Sequence, residues 1–202
     1  MGLNVATLKD DLLAVFRSMT DGDDAVFAEG AAASTDNYVE SGSIVTADAG
    51  PVSGGVFAGS GNGGNTTDDQ ICRGIVLTAC DAMRAMATGG NAYLAAQLSA
   101  GVHSMVTRGA VNTDVTGMVT PPPPAPPFPR DGSAKGGQTG VPAPMQAAFL
   151  AAFTAMDGMT EGGDEHLAGQ IAVAVDAYLK AAVVNTNGQG ALAGSAGIGA
   201  MA

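Results

Sequence analysis

The chain has 202 residues, 38 of them alanine and 30 glycine, and its formal net charge at pH 7 is -11. A nucleic-acid-binding protein needs a basic surface to neutralise phosphates, so this charge argues against a nucleic-acid partner. The opening residues lack the pattern of a secretory signal, and the most apolar stretches are too short to cross a bilayer or are interrupted by charges, so we expect no membrane partner.

Three segments of the chain resemble one another when they are aligned without gaps. They cover residues 19–50, 86–117 and 159–190. The second and third share a Gly-Gly pair, a Leu-Ala pair and the triplet Val-Asn-Thr at matching positions. Such repetition predicts three copies of one structural unit. We expect these units to occupy residues 4–64, 68–135 and 143–199.

Each unit opens with apolar residues at helical spacing, which predicts a first helix with one buried face. The predicted faces are Val5, Leu8, Leu12, Phe16 and Met19, then Cys72, Ile75, Ala79, Met83 and Met86, then Met145, Ala148, Ala152, Met156 and Met159. Leu13, Cys80 and Phe153 widen these faces. The two cysteines are therefore expected to be core residues with no role in a disulfide, a metal site or redox chemistry.

A tight turn follows each first helix. Gly22, Gly89 and Gly162 suit a left-handed helix end. Asp24, Asn91 and Asp164 stand where the next helix needs a side-chain acceptor for its free amides. A second amphipathic helix is predicted after each turn, so each unit reads as a helical hairpin.

The second helices are followed by short β-prone triplets and by Gly-Ser segments. The triplets begin at Ile44, Val111 and Val184, and they are predicted to be extended. The Gly-Ser segments suggest that the loops repeat as well, and Gly59–Gly64 is interpreted as a flexible linker. The proline-rich residues 121–129 are interpreted as a semi-rigid spacer between units two and three, with a docking arm as the alternative. Pro144 suits the first turn of the next helix.

Four groups of residues resemble chemical motifs, and a structural interpretation is favoured for each. Asp21, Asp23 and Asp24 lack the glycine and the closing glutamate of a calcium loop. The group Glu161, Asp164, Glu165 and His166 fits a helix surface better than a metal site. His103 and Ser104 are neighbours on a helix, where side chains point about 100° apart, and Gly59–Gly64 lacks the lysine of a phosphate-binding loop. We therefore predict no catalytic, cofactor-binding or metal-ligating residues.

The fold class predicted from these patterns is all-α. Three tandem helical hairpins are expected to pack as a six-helix body, joined by long connections rich in Gly and Pro.

The acidic, Ala- and Gly-rich character of the chain, its proline-rich segment and its glycine-rich stretch at residues 190–197 resemble the structural proteins of tailed-bacteriophage virions. The resemblance implies a non-enzymatic structural subunit, located in the virion after assembly in the host cytoplasm, as a minor capsid, decoration, connector or tail-associated protein. Its expected partners are other virion structural proteins in a homo-oligomer or symmetric assembly. The alternative is a soluble helical-repeat module that binds a peptide or small ligand in a pocket shared between the units. An enzyme would need clustered carboxylates or histidines from different units.

Overall fold

The structure, a computed structural model, describes residues 2–19 and 24–202. Within them the chain repeats one order three times: two α-helices, then two β-strands. Unit one contains α1 (Val5–Ser18), α2 (Asp24–Ser41), β1 (Ile44–Val52) and β2 (Gly55–Thr66). Unit two contains α3 (Asp69–Met83), α4 (Gly90–Arg108), β3 (Ala110–Thr120) and β4 (Phe128–Thr139). Unit three contains α5 (Ala143–Met156), α6 (Gly163–Ala181), β5 (Val183–Gly188) and β6 (Ala196–Met201), with a short 3-10 helix at Gly190–Leu192.

The six strands form one closed antiparallel barrel in chain order, with β6 hydrogen-bonded to β1. Each unit supplies one β-hairpin, and none of the three closes the sheet alone. The predicted all-α fold class is therefore wrong: the protein is mixed α/β. The description as helical-hairpin repeats is wrong as well, because the repeating unit is two helices followed by a β-hairpin.

Glycine residues allow the strands of this narrow barrel to approach closely, and they also make the strands hard to recognise in the sequence. Gly63, Gly136 and Gly199 occupy equivalent positions in β2, β4 and β6. A Cβ atom at any of them would overlap a backbone carbonyl oxygen of the neighbouring strand. Glycine at these positions replaces the β-branched residues by which a strand is usually recognised. The predicted flexible linker at Gly59–Gly64 is instead part of β2, hydrogen-bonded to strands on both sides.

The six helices form a second closed ring above the barrel. Each helix packs against the one before and the one after it in the chain, and α6 packs against α1. The first helix of each unit runs away from the barrel, and the second returns to it. A single core fills the ring and continues into the first layer of the barrel at Ile44, Val111 and Val184. The three units are thus arranged around one axis, as three subunits of a trimer would be, but they belong to a single chain.

The buried faces of the first helices in units two and three agree with the prediction at most positions. Cys72, Ala79 and Cys80 are buried in α3, and Met145, Ala152 and Phe153 are buried in α5, but the prediction missed Val76 and Phe149. The described core has Leu8, Leu12 and Phe16 in α1. The equivalent residues are Cys72, Val76 and Cys80 in α3, and Met145, Phe149 and Phe153 in α5. Unit one is three residues shorter than the others between this face and its second helix, so the gapless alignment shifts the first helices by one turn.

The turns between paired helices agree only in part with the prediction. Gly89 and Gly162 adopt left-handed backbone angles, with φ of 82° and 72°. Neither α4 nor α6 has a side-chain cap at its first residue, so the predicted capping by Asn91 and Asp164 is wrong. Gly22 lies outside the described residues. Elsewhere, Asn4 and Asp68 cap α1 and α3, and a proline lies in the first turn of α5 as predicted.

The proline-rich segment lies at a hairpin tip and does not separate two units. It connects β3 to β4 within unit two, at the end of the barrel remote from the helices. The corresponding tips are Ser53-Gly54 in unit one and the residues around the 3-10 helix in unit three. Phe57, Val115, Val119, Ala134 and Leu192 form a small apolar cluster beneath the three tips.

Candidate functional site

A pocket of about 820 Å³ lies in the helix ring, at the end remote from the barrel. We call it the axial cup, because equivalent residues of all three units line it. The first helices contribute Phe16, Cys80 and Phe153, and the second helices contribute Phe27, Leu94 and Leu167. Each first-helix residue of the cup is followed three residues later by a methionine that also lines it. These methionines are Met19, Met83 and Met156, and all three are partly exposed. The floor of the cup is therefore apolar, and its margin is formed by flexible methionine side chains.

The first-helix layer of the cup departs from the threefold pattern at Cys80, and the second-helix layer departs from it at Phe27, which stands where the other units have leucine. Phe16 and Phe153 are equivalent, and the third member of their layer is Cys80, whose side chain is much smaller. Phe16 packs against Phe27 with ring centroids 6.0 Å apart. The first-helix layer therefore contains two aromatic rings and one small thiol. Burial raises the pKa of the Cys80 thiol, and Asp24 and Asp81 raise it further, so this sulfur is not an activated nucleophile.

The mouth of the cup is negatively charged. Among the described residues, its lining includes the carboxylates of Asp24, Asp157 and Asp164 and the guanidinium of Arg84, so negative charge is in excess there. Arg84 Nη2 lies 2.6 Å from Asp24 Oδ2, an ion pair between units two and one. Asn91 Nδ2 donates to Asp157 Oδ2 at 3.0 Å, a hydrogen bond between units two and three. Asp24 and Asn91, predicted as helix caps, therefore join units at the mouth.

A second candidate site lies on the outside of the barrel, where β6 meets β1. Three residue pairs face outward there, and all are apolar: Val45 with Ala200, Ala47 with Ile198, and Ala49 with Ala196. Val45 is 54% exposed and Ile198 is 66% exposed. We call these six residues the apolar wall. Contiguous apolar surface of this kind marks interaction sites on soluble proteins.

At the two equivalent junctions between units, the positions that correspond to the apolar wall carry polar residues or glycine. On β2 and β3, Asn62 pairs with Asp114 and Ser60 with Thr116. On β4 and β5, Lys135 pairs with Asn187. Since the backbone arrangement is the same at all three junctions, the apolar wall is not required by the barrel itself.

The barrel interior carries a polar cluster. Thr46, Thr113 and Thr186 form an equivalent set, and each is at most 3% exposed. The buried carboxylate of Asp48 accepts hydrogen bonds from Thr46 Oγ1 at 2.6 Å and from Thr186 Oγ1 at 3.3 Å. Thr113 Oγ1 is buried and has no hydrogen-bond partner within the described part of the chain. The cluster joins strands of units one and three and holds a carboxyl group that is buried from solvent.

Hydrogen bonds also link the second helices of different units. Tyr38 OH donates to Asp176 Oδ1 at 2.7 Å, and Lys180 Nζ lies 2.9 Å from the same carboxylate. Tyr178 OH lies 2.8 Å from His103 Nδ1. Burial raises the pKa of Tyr178 to about 12. The pKa of Tyr38 is raised first by burial and then by its bond to Asp176. These hydrogen bonds hold the second helices of different units together.

The motif-like groups identified in the sequence are dispersed. His103 is bonded to a tyrosine and not to Ser104. Glu165 pairs with Lys9 of unit one at 2.9 Å. Cys72 and Cys80 are free thiols. Asp21 and Asp23 lie outside the described residues. Among residues 2–19 and 24–202, no group of three or more His, Cys, Asp or Glu side chains is placed to hold a metal ion. None of the described helices is long and apolar enough to cross a membrane.

Comparison with protein-family models, with curated proteins and with solved structures gives no match to this chain.

The sequence contains signals for both candidate sites that the helical interpretation overlooked. Val45, Ala47 and Ala49 alternate with buried residues, as do Ala196, Ile198 and Ala200, which is the pattern of strands with an apolar outer face. The residues of the axial cup follow from the repeat once the first helices are aligned on Phe16, Cys80 and Phe153.

Proposed function

We propose that this protein is a non-enzymatic structural subunit of a large assembly, in which the apolar wall is buried against another protein. The wall itself supports the proposal. Six apolar residues are exposed on β1 and β6, while polar residues or glycine occupy the equivalent positions on the other two junctions. An exposed apolar surface lowers the solubility of a protein unless a partner covers it.

The body of the protein suits a rigid part of such an assembly. The barrel closes on itself, so no described strand offers an unpaired edge for further sheet growth. Association must therefore use side-chain surfaces such as the apolar wall. Three similar units around one axis also fit a site of threefold or sixfold symmetry in a shell or tube.

The bacteriophage virion is the setting that the resemblance of the sequence suggests, and we propose it as the assembly concerned. Partners would then be other virion structural proteins, with further copies of this chain among them. The acidic surface supports contacts with proteins over contacts with nucleic acid.

The proposal is tested by quantitative mass spectrometry of particles from the virus that encodes the chain. We expect a fixed copy number per particle. The test variant combines Val45→Asn with Ile198→Lys. The chain already has asparagine at Asn112 and lysine at Lys135, the positions equivalent to Val45 and Ile198 in other units, so the fold should tolerate both substitutions. This double variant should be lost from particles, while Asn112→Ser on a polar junction should be retained. Absence of the unaltered chain from purified particles would overturn the proposal.

Self-association is tested separately by sedimentation velocity of the purified chain over a concentration series. A closed multimer that dissociates in the Val45→Asn, Ile198→Lys variant would place a second copy on the wall. A monomer at every concentration would rule out self-assembly through the wall and leave a different protein as its partner.

A module that binds a peptide or small ligand is the second candidate function, because the axial cup is a concave pocket shared by the three units. This candidate differs from the first in requiring a ligand and no particle. Incubation with a panel of peptides and apolar small molecules, followed by native mass spectrometry, would show a one-to-one complex.

A further inference from the structure

We propose that the axial cup receives an aromatic side chain of a partner protein, presented on a segment with basic residues beside it. The inference rests on the proposed function, since it takes the occupant to be another protein of the same assembly. It identifies the cup as a docking site in addition to the apolar wall, at the opposite end of the molecule.

The residues that line the cup indicate that the inserted side chain of the partner is aromatic. In the layer formed by the first helices, Phe16 and Phe153 project from α1 and α5, and Cys80 replaces the third phenylalanine on α3. The surrounding second-helix residues are also large and apolar. An aromatic ring entering beside Cys80 would complete a layer of three rings, with edge-to-face or offset contacts to its neighbours.

The margin of the cup favours a protein segment as the occupant. Met19, Met83 and Met156 are partly exposed around it, and Met86 and Met159 are each 40% exposed nearby in the chain. Methionine side chains are flexible and polarisable, so they adapt to an inserted side chain and to the backbone that carries it. Many exposed methionines together are typical of surfaces that bind apolar peptide segments.

Charge identifies the residues that flank the aromatic ring. The described residues that line the mouth carry three carboxylates and one guanidinium, and the whole chain has a net charge of -11. Asp164 lies at the mouth with its carboxylate free of any hydrogen bond or ion pair to the described residues, whereas Asp24 and Asp157 are already bonded across units. Lysine or arginine beside the inserted ring would therefore meet an unneutralised carboxylate, and an acidic segment would be repelled.

The test follows the methyl groups of the methionines by NMR of the full chain, with ¹³C in the methionine methyls. Three synthetic peptides are titrated. One contains Phe between lysines, the second replaces those lysines with glutamates, and the third replaces Phe with Ala. We expect the first peptide alone to shift the signals of Met19, Met83 and Met156 in a saturable way below about 1 mM. Met118 and Met201, which lie in the barrel strands, serve as internal controls and should not move.

Two variants examine the two parts of the argument. Cys80→Phe supplies the missing ring from within and should abolish binding, whereas Cys72→Ala, which lies deeper in the same helix, should leave it unchanged. Should Cys80→Phe fail to fold, Asp164→Asn tests the charge alone on an exposed turn. It should weaken binding of the lysine peptide by roughly threefold, as expected for one partly screened charge.

Several outcomes would overturn the inference. They are the absence of saturable shifts with the lysine peptide, equal binding of the glutamate peptide, or equal binding of the alanine peptide. Shifts of the same methyls on concentrating the protein alone would show that a second copy of this chain occupies the cup. Each result is independent of whether the chain is found in particles, so failure of the docking site can be distinguished from failure of the proposed function.

Discussion

Arg130 Nη1 donates a hydrogen bond to the backbone carbonyl oxygen of Ser53 at 2.9 Å, which joins β4 of unit two to the hairpin tip of unit one. The same nitrogen lies 3.2 Å from the carbonyl oxygen of Ala191 in unit three. The guanidinium also lies over the ring of Phe128, 5.5 Å from its centroid. One side chain therefore connects the tips of all three β-hairpins at the end of the barrel.

Replacing Arg130 with alanine should loosen that end of the barrel. We expect the free energy of unfolding to fall by about 1–2 kcal/mol, because a charged donor and its two carbonyl contacts are lost. Denaturant titration measures this change. Lys135→Ala is the matched control, since Lys135 lies on the outer face of the same strand and also carries one positive charge. An equal loss in both variants would mean that charge, and not the connection between tips, is responsible.

Gly136 should tolerate no side chain. A Cβ atom there would overlap the carbonyl oxygen of Asn185 on the neighbouring strand, which cannot move without breaking the sheet. Gly136→Ala should therefore lower the free energy of unfolding by about 3 kcal/mol or prevent folding. The adjacent Gly137 has open space around the position of a Cβ atom. Gly137→Ala should leave stability unchanged or raise it slightly. Thermal unfolding of the two variants side by side measures the difference.

Two equivalent threonines inside the barrel should respond oppositely to valine. Thr46 donates to the buried carboxylate of Asp48, so Thr46→Val should lower the free energy of unfolding by about 1–3 kcal/mol. Thr113 is buried in the same layer with a hydroxyl that finds no acceptor among the described residues. Thr113→Val should leave stability unchanged or raise it, because it removes a desolvated polar group. Denaturant titrations that gave equal losses for both would contradict this view of the layer.

Tyr178 should make stability depend on pH at the alkaline end. Its pKa is raised to about 12 by burial, whereas an unfolded tyrosine ionises near pH 10. The folded chain therefore holds a proton that the unfolded chain has released. The resulting stabilisation is present below about pH 10 and is lost as the pH rises from about 10 to about 12. Measured unfolding free energies across this range should fall less steeply for Tyr178→Phe than for the unaltered chain.

The same Tyr178→Phe variant has an effect at neutral pH. It removes the hydrogen bond to His103 and should cost about 1 kcal/mol at pH 7. A variant with unaltered stability at pH 7 and an unaltered alkaline slope would show that this phenol does not join the two units.

The helices were predictable from sequence to a useful extent, and the barrel was not. Apolar periodicity identified α1 well, with Leu8, Leu12 and Phe16 buried as expected. In units two and three the longer connection shifted the alignment by one turn, so Cys80 was assigned to the margin of a face whose core it occupies. Strands such as β2 were missed because several of their inward residues, Gly59, Gly61 and Gly63, are glycines that suit the narrow interior and have low β-propensity.

The candidate sites depend on contacts between units, which no single repeat reveals. The axial cup needs Phe16, Cys80 and Phe153 from three first helices, and the apolar wall needs β1 beside β6. Those two strands are separated by most of the chain. Neither site follows from local sequence until the rings of helices and strands are known to close.

The pairing of β1 with β6 also has a consequence for the order in which the protein folds. Five of the six strand pairings join consecutive strands, but this one joins residues 44–49 to residues 196–201. Closing so long a loop is entropically costly, and contacts between distant residues slow folding. Helical pairs and β-hairpins can form early and locally, whereas the barrel can close only when its last strand is in place. The edge of β1 that pairs with β6 therefore stays unpaired longest during folding. Since β1 also carries exposed apolar residues, we expect it to be the segment most prone to aggregation before the barrel closes.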